Sequence, residues 1–134
     1  MKPFPIKIVT PDGLQFEGQA EELIVRTITG DMGILAGHTN CVAPLGMGQA
    51  TVVIDGEKRY AACIGGMVVI TKDEVKLVPT TFEWAKTIDV KRAEASEIRA
   101  KAMLEDKSAS KTELKLAEAR LKRALVRKSV AGLK

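Results

Sequence analysis

The sequence predicts a two-part chain: an N-terminal all-β antiparallel sandwich or barrel over residues 1–86, then a C-terminal antiparallel α-helical hairpin over residues 87–134. Three observations predict it. Helix breakers are confined to the first part, with ten of the 11 glycines at or before Gly66 and all five prolines at or before Pro79. Charge divides near the same place: residues 1–87 hold 8 Lys/Arg and 10 Asp/Glu, a net of −2, whereas residues 88–134 hold 13 and 7, a net of +6. Apolar residues alternate in short runs in the first part and recur every three or four positions in the second. With 134 residues and 46% apolar side chains, the chain can bury a real core and is not a disordered tail.

The elements follow in order. Phe4–Thr10 alternates, with Phe4, Ile6 and Ile8 on one face and Lys7 on the other, and Pro11-Asp12-Gly13 turns it into a short strand at Leu14–Phe16. Glu22–Ile28 sets Leu23, Val25 and Thr27 opposite Ile24, Arg26 and Ile28. Gly30, Gly33 and Gly37 mark Thr29–His38 as a turn-rich loop. Gln49–Ile54 and Lys58–Cys63 flank Asp55-Gly56, the residue pair that a type I′ hairpin turn favours. Met67–Thr71 follows Gly65-Gly66, and Lys72-Asp73 turns into Glu74–Val78. The first helix is capped by Thr87 or Asp89 and runs to about Glu105 or Asp106, with Ala95, Ile98 and Ala102 on one face. Asp106–Ser110 interrupts the pattern. Ser110 and Glu113 form a capping box for a second helix whose Leu114, Ala117, Leu121 and Ala124 make an apolar stripe widened by Leu125, with Gly132 at its end. Small apolar residues on helices of this length leave the pair marginal alone, so the hairpin is expected to rest on the sheet domain or on another protein.

Chemistry-bearing motifs are few. The longest nearly apolar run, Tyr60 to Ile70, is about half of what a spanning helix needs, so the chain is expected to be soluble and cytoplasmic. Cys41, Cys63 and the single His38 are spaced for no zinc site, and the cysteines read as reduced thiols rather than a disulfide. No phosphate-loop, nucleophile-elbow or metalloprotease motif is present, so no catalytic residue and no metal ligand is assigned. Two clusters stand out. From Arg120 to the end, Arg120, Lys122, Arg123, Arg127, Lys128 and Lys134 occur without an acidic residue. That run suits a helix C-terminus, an acidic protein surface or nucleic acid, in that order. Where the first helix starts, Asp89, Arg92 and Arg99 follow Glu83. Spacing alone favours a cap with an i, i+3 ion pair over a two-arginine clamp for phosphate.

Several stretches together resemble one family. Ile8-Val9-Thr10-Pro11-Asp12-Gly13, the loop Gly30-Asp31-Met32-Gly33-Ile34-Leu35-Ala36-Gly37-His38, Gly65-Gly66-Met67-Val68-Val69, Asp89-Val90-Lys91-Arg92-Ala93, and the tail with Ala119, Leu121, Lys122, Arg123, Ala124, Leu125 and Arg127 are similar to the epsilon subunit of bacterial F-type ATP synthase. The resemblance covers nearly the whole chain. It implies a sandwich and helical hairpin, and a non-catalytic central-stalk rotor subunit. Such a subunit couples gamma to the c ring during ion-driven ATP synthesis, at the cytoplasmic face of the bacterial membrane, and touches the membrane only through the complex. Asp31 and His38 correspond to the loop facing the c ring. The hairpin of such a subunit either folds on the sandwich or extends along gamma. Extended, it inhibits ATP hydrolysis through basic residues matched by Arg120, Lys122, Arg123, Arg127 and Lys128, which approach the beta and possibly the alpha subunits.

Some members of that family also bind ATP as a regulatory ligand, with no cofactor required. Their site is matched by Glu83, Ile88, Asp89, Arg92, Ala93, Arg99, Arg123 and Arg127. Two departures weaken loop rigidity: the family usually has Pro where Ala36 stands, and often where Asn40 stands. The competing function is a small basic nucleic-acid-binding protein, against which the scarcity of aromatics (4%) and the negative first part both count.

Overall fold

The computed structural model describes residues 2–133, so Lys134 of the basic run lies outside the described residues. Ten strands precede two helices: β1 (Phe4–Thr10), β2 (Gly13–Ala20), β3 (Glu22–Thr27), β4 (Gly30–Ile34), β5 (Cys41–Pro44), β6 (Met47–Ile54), β7 (Glu57–Ile64), β8 (Met67–Ile70), β9 (Val75–Val78) and β10 (Thr81–Trp84), then one 3-10 turn (Ala85–Thr87), α1 (Val90–Leu104) and α2 (Lys111–Ala131). The strands make two five-stranded sheets, ordered β2-β1-β9-β8-β5 and β10-β7-β6-β3-β4. Pairing is antiparallel apart from β1 and β9, where Ile6 lies beside Val75 and Ile8 beside Leu77 in parallel. The expected sandwich and hairpin are both present, with this one parallel pair joining strands that nearly the whole domain separates in sequence.

The alternation read from β1 and β3 holds. Phe4, Ile6, Ile8, Leu23 and Val25 are buried together with Val52, Val68 and Leu77 between the two sheets. Asp55 (φ 52°) and Gly56 (φ 77°) take the left-handed conformations that a type I′ turn demands. Three segments read as loop or left unread are strands: β4, β5 and β10. β4 contains two glycines, and its pairing with β3 from Thr27↔Gly30 to Leu23↔Ile34, rather than its propensity, keeps it extended. β2 is longer than Leu14–Phe16 because it follows β1 from Thr10↔Gly13 to Phe4↔Ala20, skipping Gln15 in a bulge.

β6 and β7 break the alternating pattern. Ala50, Thr51 and Val52, and Ala61 through Ile64, are buried on both faces. One face points into the sandwich, and the other is covered by α2, which packs on both strands. Ala62 is fully buried with Ala85, Ile88, Val130 and Ala131 in a second, smaller apolar cluster apart from the main core. Its small side chain lets the helix approach the sheet.

Asp89 caps α1 by accepting from the Arg92 backbone N–H at 3.0 Å, and Ser110 and Glu113 form both halves of the capping box of α2. The expected apolar face of the first helix is corrected. Ile98 is 68% exposed and Ala102 is exposed, while Ala93, Glu97 and Ala100 are buried. The buried i, i+4, i+7 row lies on the helix that packs against α2, where Ala117 and Ala124 are buried as well, and small side chains on both helices allow a close approach. On α2, Ala117 and Ala124 are buried as expected, but Leu125 is 45% exposed. Gly132 ends α2 with φ −71°, an ordinary helical value rather than a left-handed stop.

Candidate functional site

Between the sandwich and the hairpin lies a cavity of about 830 Å³. Its floor is sandwich backbone and small residues at Leu45–Met47, Ile64-Gly65 and Thr80-Thr81, and its roof is Ser96, Arg99, Ala100 and Met103 of α1 with Ala117, Arg120, Arg123 and Arg127 of α2. The charged side chains lining it are all arginines, and the tight turn of Gly65 (φ 69°) and Gly66 (φ 83°) closes one wall. The Gly66 position tolerates no side chain, since a Cβ there would lie 2.0 Å from the Val78 carbonyl oxygen.

The proposed nucleotide residues divide into two groups. Arg99, Arg123 and Arg127 face the cavity. Glu83, on β10, accepts from Arg127 Nε at 2.8 Å, a tie between the sandwich and α2. Ile88 is buried under Val130 and Ala131, and Ala93 is buried in α1. Asp89 spends its carboxylate on the helix cap, and Arg92 is exposed at the start of α1. The i, i+3 contact here is therefore from backbone N–H to carboxylate, and no Asp89–Arg92 side-chain ion pair occurs among the described residues.

Of the residues assigned to a beta-subunit contact, Arg120, Arg123 and Arg127 face the cavity and Lys122 is exposed. Lys128 turns the other way and donates to Glu97 of α1 at 2.7 Å. Sequence reasoning missed Glu97. It sits in the hairpin with its side chain 12% exposed, held at 2.7 Å by both Lys101 and Lys128, and these two hydrogen bonds lower its carboxyl pKa to about 2. The i, i+4 spacing to Lys101 was legible, but the bond to Lys128 depends on how two helices align.

The loop pair Asp31 and His38 is not adjacent to this cavity. Asp31 lies on β4 directly opposite Arg26 of β3, whose guanidinium donates to it at 2.7 Å and 3.4 Å. Arg26 in turn lies over Gly48, where a Cβ would come within 2.6 Å of its own Cβ. His38 Nδ1 is 2.7 Å from the Thr39 carbonyl oxygen, in the wall of a separate cavity of about 300 Å³. Cys63 is a core thiol that burial pushes up to about 12, and Cys41 is a half-buried free thiol. Among the described residues, no group of three or more His, Cys, Asp or Glu could hold a metal ion, and no helix is long and apolar enough to cross a membrane.

Comparison with known proteins decides the family. Residues 3–85 match the ATP synthase delta/epsilon chain beta-sandwich domain, and residues 86–132 match the ATP synthase delta/epsilon chain long alpha-helix domain. This chain belongs to the ATP synthase epsilon-chain family. The ATP synthase epsilon chain of Ruminococcus albus is 42% identical over 135 residues, and that of Bacillus cytotoxicus is 40% identical over 134 residues, each alignment covering 100% of both chains. A chain in the cryo-EM structure of the Euglena gracilis mitochondrial ATP synthase has the same fold, with a TM-score of 0.82 and 21% identity over 98% of this chain and 82% of that one. Membership of the epsilon-chain family agrees with the resemblance carried by the Gly30–His38 loop and the Asp89–Ala93 motif, and it leaves the nucleic-acid reading without support.

Proposed function

We propose that this epsilon-family chain is a non-catalytic central-stalk subunit of a rotary ATP synthase, in which the sandwich links gamma to the c ring and the hairpin restrains ATP hydrolysis. The observation that carries the reading is the unequal attachment of the two parts. The sandwich has its own large core. Among the described residues, the hairpin is held to it by a small apolar cluster and one ion pair, Arg127–Glu83. A rigid coupling element joined to a detachable one suits a rotor subunit whose hairpin has two positions. The chain needs no catalytic group of its own, and its place at the cytoplasmic face of the membrane comes from its partners.

The outer face of the sandwich supports a protein partner. Val42, Pro44, Met67 and Val78 lie on neighbouring strands, Val42 is 64% exposed, and Ile28, 69% exposed, hydrogen-bonds through its N–H to the Pro44 carbonyl. Such a contiguous apolar strip suits the gamma subunit. Asp31 and His38 are assigned to the c ring. In the compact hairpin, Arg127 and Lys128 are engaged by Glu83 and Glu97. Extension releases them, together with Arg120, Lys122 and Arg123, toward an acidic surface of the beta subunits and toward alpha.

ATP is the regulatory ligand this reading assigns to the cavity. Arg99, Arg123 and Arg127 take the phosphates there, Glu83 holds Arg127 at 2.8 Å, and the resemblance adds Ile88, Asp89, Arg92 and Ala93 where α1 begins. Bound ATP favours the compact state, because that state alone gathers arginines from both helices. The test of the main reading removes residues 88–134. The remaining sandwich binds gamma as well as the full chain, and the reconstituted complex hydrolyses ATP without restraint; loss of gamma binding refutes the division. The ATP assignment is checked by calorimetric titration with and without magnesium, where Arg99→Ala abolishes binding and Arg92→Ala reports whether the start of α1 belongs to the site.

A further inference from the structure

We propose that Arg120 is a fourth arginine of the interdomain cavity and that it makes the cavity selective for ligands with an extended polyphosphate chain. The inference rests on the reading of this cavity as a nucleotide site and adds to it a residue that the ATP motif does not include.

Arg99, Arg120, Arg123 and Arg127 line one cavity, and no carboxylate lines it with them. Two of the four have local partners: Arg127 binds Glu83 at 2.8 Å, and Arg99 donates to Ser96 Oγ at 3.2 Å. Arg120 and Arg123 make no side-chain hydrogen bond or ion pair with any described residue. A solvated basic face accounts for one arginine pointing away from the protein. It does not account for three on one stripe of α2, facing a fourth from α1 across a shared cavity. Converging cations repel one another unless an anion enters.

The order of the arginines along α2 gives the selectivity. Arg120, Arg123 and Arg127 stand at i, i+3 and i+7, so the row spans about 10 Å at 1.5 Å per residue. Its two ends differ. Arg127 neighbours Glu83, and the last turn of α2 packs through Val130 and Ala131 on Ile88. Arg120 lies toward the turn between the helices, where Met103 and Ala117 also line the cavity. A chain of phosphates that starts beside Arg127 runs past Arg123 before its last phosphate reaches Arg120. A monophosphate ends short of it. Arg120 is a specificity residue by this geometry, reading chain length through forked, charge-assisted hydrogen bonds to the terminal phosphate.

The experiment is calorimetric titration of AMP, ADP, ATP and inorganic tripolyphosphate into the full-length chain, as wild type, Arg120→Ala, Arg120→Lys and Arg99→Ala. Arg120 is exposed on a helix, so its replacement leaves the fold intact, which circular dichroism checks. Arg120→Ala is expected to weaken ATP and tripolyphosphate about tenfold, the loss of one charge-assisted contact, while AMP is unchanged and the ATP-to-ADP preference collapses. Arg120→Lys keeps the charge without the fork and falls between. An equal loss for all three nucleotides, or undiminished ATP binding, overturns the proposal. If Arg99→Ala weakens every nucleotide while Arg120→Ala leaves the ATP-to-ADP ratio intact, only the role of Arg120 falls. If the wild type binds none of the four ligands, the nucleotide reading falls and takes this inference with it.

Discussion

Val130→Ala probes how firmly the hairpin is docked. Val130 is 1% exposed and sits in the small cluster with Ala62, Ala85, Ile88 and Ala131. The substitution removes two methyl groups, worth about 0.8 kcal/mol each in transfer, and leaves a cavity that adds a further fraction of a kcal/mol. The sum is about 2 kcal/mol, or about a thirtyfold shift in the docking equilibrium. Because the cluster is separate from the main core, the cost falls on the attachment of α2 and not on the sandwich. Val68→Ala is the matched control: it removes the same atoms from a fully buried site between the sheets. Amide hydrogen exchange separates the two. With Val130→Ala, protection drops about thirtyfold in α2 and at Ala62, while β1 and β3 keep theirs. With Val68→Ala, the sandwich loses protection. If Val130→Ala lowers protection equally in sandwich and helices, the two parts unfold as one unit and the detachable hairpin is refuted.

Three further outcomes follow from single contacts. Glu97 holds a carboxyl pKa near 2, below its ordinary 4.5, so its contribution is complete above about 4.5 and is lost as the pH falls from there toward 2. Helix–helix protection should therefore decline over that window in the wild type and change much less in Glu97→Gln, and identical acid profiles would remove Glu97 from the hairpin contact. Gly66→Ala places a methyl against the Val78 carbonyl at φ 83°, and urea denaturation should show a loss of order 3 kcal/mol. Asp89→Ala removes a helix cap and should cost about 1 kcal/mol in the same assay, whereas Asp89→Asn, which still accepts from the Arg92 N–H, should cost a few tenths.

The legible parts of the chain were those governed by neighbours in sequence. The Asp55-Gly56 turn, the Asp89 cap and the Ser110–Glu113 box each depend on residues within three positions; the turn and the box stand as read, and of the two candidates Thr87 and Asp89 it is Asp89 that caps α1. The strands that escaped notice, β4, β5 and β10, take their extended form from ladder partners farther off in the chain, such as Leu23↔Ile34, Cys41↔Ile70 and Thr81↔Ile64. The site was half legible. Arg99, Arg123 and Arg127 were named from a motif, but their meeting in one cavity, and the presence of Arg120 among them, required the hairpin to fold back on β6 and β7. Ile98 misled because a single large apolar side chain outweighs alanines in a periodicity count, whereas close helix packing prefers the alanines.

The sequence by itself determined the division into a glycine- and proline-rich sheet domain and a breaker-poor helical pair, together with the caps and turns that start and stop their elements. These are local choices, set by backbone conformational preference and by hydrogen bonds a few residues long. Only the tertiary structure decided the parallel pairing of β1 with β9, the burial of both faces of β7, the Glu97–Lys128 bond and the arginine-lined cavity. Each of these joins surfaces far apart in the chain, and their energies depend on complementary shape and charge that exist only once both surfaces have formed.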